Sequence, residues 1–121
     1  MTANTGLYQL HISLSDMETV DVGRLGRYSF PKGKYIYTGS AKRGLNARID
    51  RHKQNDKKLH WHIDYLLGAK SAKITKVEVF DYSSDGECAL NQSIIGEHIV
   101  RGFGSSDCQN KCISHLVYIG K

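Results

Sequence analysis

Apolar and polar positions alternate from Gly6 to Leu14, with Tyr8, Leu10, Ile12 and Leu14 on one side and Leu7, Gln9, His11 and Ser13 on the other. A period of two is that of a β-strand. Short strands are predicted over Met17–Gly23 and Arg27–Phe30, around a turn at Gly23 and Gly26, and Pro31-Lys32-Gly33 breaks the chain after them. Lys34–Ser40 predicts a further strand, with Tyr35 and Tyr37 on one face and Ile36 on the other. The period then lengthens. From Gly44 to about Gln54, Leu45, Arg48, Ile49 and His52 recur at helical spacing and share one side.

A second helix is predicted from about His60 to Leu67, and a strand over Lys73–Tyr82. A third helix is predicted from Glu87 to about Arg101, with Leu90, Ile94 and His98 along a stripe. A Gly/Ser-rich loop over Gly102–Cys112 and a last strand over Ser114–Ile119 complete the chain. Strands and helices intermix, so the fold class is α/β or α+β with a small central sheet. At 121 residues the chain supports a single domain, residues 1–121, with one core.

A hydrophobic content of 40% and one proline fit a compact fold better than a disordered tail. No apolar run has the length of a membrane span. The segment MTANTGLYQL lacks the basic and apolar regions of a secretory signal, which makes the cytoplasm the expected compartment. Three cysteines, an odd number, argue against a disulfide framework.

Charge sharpens the picture. Lys and Arg number 17 against 12 Asp and Glu, a net charge of +5. The excess is local: Lys42, Arg43, Arg48, Arg51, Lys53, Lys57 and Lys58 are opposed only by Asp50 and Asp56. One reading is the footprint of a phosphate-backbone binder. The other is a solvated helix face followed by a polar loop, and composition leaves both open.

Arg48 and His52 stand on the side of the first helix that should face the sheet. A cation there either snorkels at the edge of the packed face or is aimed at an anion, for which the guanidinium fork is suited. Glu87 occupies the start of the Leu90–Ile94–His98 stripe. The sequence Ser84-Asp85-Gly86-Glu87 also fits a capping box, in which the carboxylate would serve only the helix terminus.

Gly6-Leu7-Tyr8, Tyr37-Thr38-Gly39, Arg48 with His52, and Glu87 occur in an order that resembles the signature of the GIY-YIG nuclease superfamily. The segments YTGSA, GLNARIDRH, HWHIDYLL and FGSSDC, with Cys112 and Ser114-His115-Leu116, resemble one branch of it, the family known as domain of unknown function 123. The resemblance runs from Gly6 to His115. It implies a mainly antiparallel core flanked by helices, and divalent-metal-dependent endonuclease activity on the phosphodiester bonds of DNA, in a repair setting. It implies that Tyr37 acts as general base or positions the attacking water, and that Tyr8 orients water or phosphate beside it. Arg48 would stabilise charge on the scissile phosphate, and His52 would assist proton transfer or hold the phosphate. Glu87 would bind one Mg²⁺ or Mn²⁺ ion. The two tripeptides lie far apart for that superfamily, and an inserted strand pair would account for the separation. A non-catalytic nucleic-acid-binding module on the same scaffold is the alternative.

Lys42, Arg43, Arg51, Lys53, Lys57 and Lys58 are the candidate nucleic-acid contacts. His60, His62 and Asp64 form a further candidate cluster, read either as substrate contacts or as a buried His–Asp hydrogen bond between His60 and Asp64. Ser105, Ser106 and Asp107 could line the cleft or cap local turns. Cys108, Cys112 and His115, with Cys88, do not have the tight cysteine pairs usual in structural zinc sites, so zinc is not expected. Tyr118-Ile119-Gly120 matches the second tripeptide literally but follows the arginine helix, and is read as a terminal strand.

Overall fold

A computed structural model describes residues 6–41, 44–53, 62–80, Gly96 and 115–120. The predicted helix from Glu87, apart from Gly96, and the Gly102–Cys112 loop lie outside the described residues. Four strands form one antiparallel sheet in the order β5-β1-β4-β6: β1 is Gly6–Leu14, β4 Gly33–Ala41, β5 Ala72–Phe80 and β6 Leu116–Gly120. Between β1 and β4 the chain makes a two-stranded hairpin of β2 (Glu18–Asp21) and β3 (Arg27–Phe30), joined through a short 3₁₀ turn at Gly23–Leu25. This is the strand pair expected to separate the two tripeptides. Helices α1 (Leu45–Lys53) and α2 (His62–Leu67) follow β4. The fold is the small, mainly antiparallel α+β arrangement read from the sequence.

Strand pairing sorts the side chains. Tyr8, Leu10 and Ile12 pair with Gly39, Tyr37 and Tyr35 on β4, so these residues share one face. That face carries the core, where Tyr8, Leu10, Ile12, Leu14, Tyr35, Tyr37 and Leu116 meet Leu45 and Ile49 of α1 and Ile63 and Leu66 of α2. The other face of β1 is also covered at the N-terminal end, where Leu7 and Gln9 are buried. There Gln9 Nε2 donates to Thr38 Oγ1 at 3.3 Å.

Local chemistry fixes the ends. Gly44 has φ +63° and accepts the Arg48 amide at 2.9 Å, an arrangement glycine adopts without strain just before α1. The hairpin is tied to the start of β5 by the Ser71 amide, which donates to Glu18 Oε2 at 2.8 Å. Tyr118 of β6 packs against Tyr35 with ring centroids 4.9 Å apart and donates to the Lys32 carbonyl at 2.8 Å. The literal Tyr118-Ile119-Gly120 is thus part of a structural strand. Burial, and then the neighbouring Tyr118, push the Tyr35 hydroxyl above its usual pKa.

Candidate functional site

The two tripeptides become one feature through β-pairing. Tyr8, the last residue of the first, stands directly opposite Gly39, the last residue of the second. A Cβ at position 39 would fall 2.5 Å from the Tyr8 hydroxyl oxygen and 2.9 Å from its Cε2. The glycine is therefore needed by the ring that lies across it, a close approach that a strand-interior glycine permits. Gly6 plays a lesser version of the same part, with a Cβ there only 2.8 Å from the Phe80 carbonyl oxygen and 3.1 Å from Leu45 Cδ2.

Helix α1 lays Leu45, Ile49 and His52 onto this face. The His52 Nε2 and the Tyr8 hydroxyl are hydrogen-bonded at 2.8 Å. The Tyr8 and His52 rings lie 5.4 Å apart, and Tyr37 meets His52 edge-on at 6.3 Å. All three side chains are buried: Tyr8 is 3%, Tyr37 7% and His52 2% exposed. When Nε2 is unprotonated the hydroxyl donates to it, so the pair is arranged to pass a proton from phenol to imidazole. Arg48, one turn before His52, is half-buried. The sequence-predicted Tyr8, Tyr37 and His52 are thus brought together, with Arg48 on the same helix.

Arg51 lies beside a different element. Its two terminal nitrogens donate to both carboxylate oxygens of Asp64, at 2.9 and 3.0 Å, joining α1 to α2. Asp64 is fully buried, and a bidentate guanidinium is the partner that geometry favours for such a carboxylate. Arg51, a candidate phosphate contact, is engaged in this bridge, and a phosphate would have to compete with it. Asp64, a candidate in the His60–His62–Asp64 cluster, serves the same bridge. That pairing was hidden because it joins two helices, whereas sequence spacing suggested only the intrahelical partner His60, which lies outside the described residues.

His62 is half-buried at the start of α2, and Lys53 is exposed at the end of α1. His115 is buried just before β6, and its carbonyl accepts the Thr38 amide at 3.0 Å. Glu87, Lys42, Arg43, Lys57, Lys58, Ser105, Ser106, Asp107, Cys88, Cys108 and Cys112 lie outside the described residues. Among the described residues, no three His, Cys, Asp or Glu side chains converge as an ion cage. No helix among them is long and apolar enough to cross a membrane.

These features define a small α+β domain with a tyrosine–histidine pair held between an antiparallel sheet and its first helix. The chain belongs to the family described as domain of unknown function DUF123, which matches residues 7–121. It is also similar to SEH-associated protein 4 of Saccharomyces cerevisiae, at 38% identity over 61 residues. That stretch covers 50% of this chain and 6% of the yeast protein. No solved structure matches the chain.

Proposed function

We propose that the chain is a GIY-YIG-type endonuclease that hydrolyses phosphodiester bonds in DNA. The observation that carries the reading is the meeting of Tyr8, Tyr37 and His52 on one face, with Gly39 shaped to receive Tyr8. The signature residues are scattered along the sequence, and packing alone does not require two tyrosines and a histidine at one spot. In this reading a water attacks phosphorus and yields its proton to the Tyr8 oxygen as the Tyr8 proton passes to His52. The bond from phosphorus to the leaving oxygen then breaks, and that oxygen keeps the electron pair and takes a proton from solvent. A tyrosine is a poor base at its ordinary pKa of about 10, and a hydrogen bond to imidazole is one means of assisting it. Tyr37, edge-on to the same imidazole, would position the water. Arg48 would balance charge growing on the phosphate oxygens, the type of stabilisation that contributes most in such reactions.

The resemblance assigns Mg²⁺ or Mn²⁺ to Glu87, where an ion would stabilise the leaving oxygen. Glu87 lies outside the described residues, and the steps above are those of the side chains alone.

A second reading, a nucleic-acid-binding module without hydrolysis, is favoured by the burial of Tyr8, Tyr37 and His52. Each falls within the range of exposure of the core residues. Nicking of supercoiled plasmid with Mg²⁺ or Mn²⁺ separates the two. Cleavage by the wild type, lost in Arg48→Ala and Glu87→Gln, supports the nuclease. DNA binding without nicking by any of the three proteins supports the module.

A further inference from the structure

The segment HWHIDYLL has no part in the hydrolytic reading above, yet it supplies the partner of Arg51. In α2, Ile63, Asp64 and Leu66 are fully buried, and Ile63 and Leu66 belong to the core. Asp64 is thus carried by a helix that the core fixes. Its carboxylate receives both terminal nitrogens of Arg51, at 2.9 and 3.0 Å. Two such bonds set the plane of the guanidinium as well as its distance, where a single bond leaves a pivot.

Arg51 immediately precedes His52, and both lie in the last turn of α1. The helix alone would not hold that turn. It has nine residues, short of the length at which a helix is stable by itself, and the last four carbonyls of any helix have no partner within it. The two side chains leave the axis about 100° apart. His52 is therefore held on the side of the sheet and Arg51 on the side of α2. If the helix turned by about 20°, a side-chain tip about 5 Å from the axis would move by about 2 Å. That is enough to break the 2.8 Å hydrogen bond between His52 Nε2 and the Tyr8 hydroxyl. The same rotation would pull Arg51 off Asp64, so the bridge resists it.

Stability by itself does not account for the bridge. A buried ion pair often contributes no more than well-packed apolar residues in its place. An apolar contact between α1 and α2 would lack the fixed direction that the guanidinium and carboxylate impose.

We propose that Arg51 and Asp64 are positioning residues for the tyrosine–histidine pair. Their bridge clamps the last turn of α1 to α2 and so holds His52 Nε2 within reach of the Tyr8 hydroxyl. The effect on hydrolysis rests on the nuclease reading above, while the placement of His52 does not.

The test reads His52 directly and then nicking. In the wild type, the ¹⁵N shift of His52 Nε2 should move when Tyr8→Phe removes the hydroxyl. Arg51→Lys keeps the charge without the fork. It should displace the His52 signal by itself, and adding Tyr8→Phe should then move the signal little further. Nicking at saturating plasmid should fall by roughly 10²-fold, the consequence of a misplacement of about 1 Å, with DNA affinity unchanged. Asp64→Asn leaves one acceptor for Arg51 and should give the same signature in weaker form. It decides the question if Arg51→Lys does not fold. Leu14→Ala is the control, since it empties a core position at the far end of β1 from Tyr8. It should lose stability and keep the wild-type His52 signal. A wild-type signal in Arg51→Lys, with the full response to Tyr8→Phe, overturns the positioning role and leaves the bridge a stabilising contact. An equal displacement in Leu14→Ala also overturns it, because general loosening would then suffice. A wild type that does not nick overturns the nuclease reading, and the His52 signals still decide whether the bridge places the pair.

Discussion

Tyr8 lies across the backbone of Gly39, its antiparallel partner, with no room for a methyl group between them. The same ring reaches His52 on α1 with its hydroxyl. One side chain therefore links the centre of the sheet to the helix that covers it. The position of His52 depends on a glycine far from it in sequence.

Gly39→Ala should therefore do more than fill space. The new Cβ would collide with the hydroxyl end of Tyr8 and force the ring or the strand to move. Overpacking of this type costs about 1–3 kcal/mol, read as a lower urea midpoint. Tyr8→Ala alone should also destabilise, through its cavity. In the double variant the clash is absent, so the two losses should be less than additive in a double-mutant cycle. Simple additivity would show that the strand absorbs the methyl group without involving Tyr8.

The Arg51–Asp64 bridge predicts a different response. Asp64 has no exposed surface, and Arg51 supplies a hydrogen bond to each of its oxygens. Removing one partner of a buried pair is strongly destabilising, so Arg51→Ala should lose roughly 3 kcal/mol. Arg51→Lys keeps the charge but not the fork, and should recover only part of that loss. Equilibrium unfolding of the three proteins checks the order. Equal stability of Arg51→Lys and wild type would mean that charge alone matters.

Stability should fall in acid partly through Glu78. A hydrogen bond with His11 is the main influence holding its carboxyl below its ordinary value of 4.5; burial opposes it, and Lys76 assists. With the folded pKa lowered, the unfolded chain binds more protons in the window just below 4.5. The contribution is thus complete above that window and disappears as pH falls through the folded value. Glu78→Gln should make the urea midpoint less sensitive to pH across this range. An unaltered pH dependence would assign the acid response to other carboxylates, such as Glu18, whose pKa is also lowered, chiefly by its hydrogen bonds from Ser71.

The limits of sequence reading lie at the contacts between elements. The period of two in β1 located the strand and the face bearing Tyr8, Leu10, Ile12 and Leu14. It did not reveal that Leu7 and Gln9 are buried as well, because alternation along one strand does not tell whether a second layer covers its other face. The side of α1 carrying Leu45, Ile49 and His52 was legible from helical spacing. The destination of Arg51 was not, since a cation in a stretch rich in Lys and Arg looks solvent-facing until α2 brings Asp64 to it.

Tyr8→Phe isolates the hydrogen bond to His52 from the packing of the ring. The ring still fits over Gly39, so the fold should persist with a loss of about 1–2 kcal/mol, the usual consequence of removing one partner of a buried hydrogen bond. If the pair moves a proton during hydrolysis, nicking should fall by roughly 10²–10⁴-fold, the range associated with positioned acid–base groups. DNA affinity should be nearly unchanged, since the ring keeps its place over Gly39 and no charge is removed. His52→Gln should give a similar loss of nicking, and the double variant should lose little more, because the two groups act as one unit. The ¹⁵N shift of His52 Nε2 supplies a readout independent of activity and should move when the Tyr8 hydroxyl is removed. Full nicking by Tyr8→Phe with a displaced His52 signal would make the hydrogen bond a structural tie, and would leave Tyr37 as the tyrosine that meets the water.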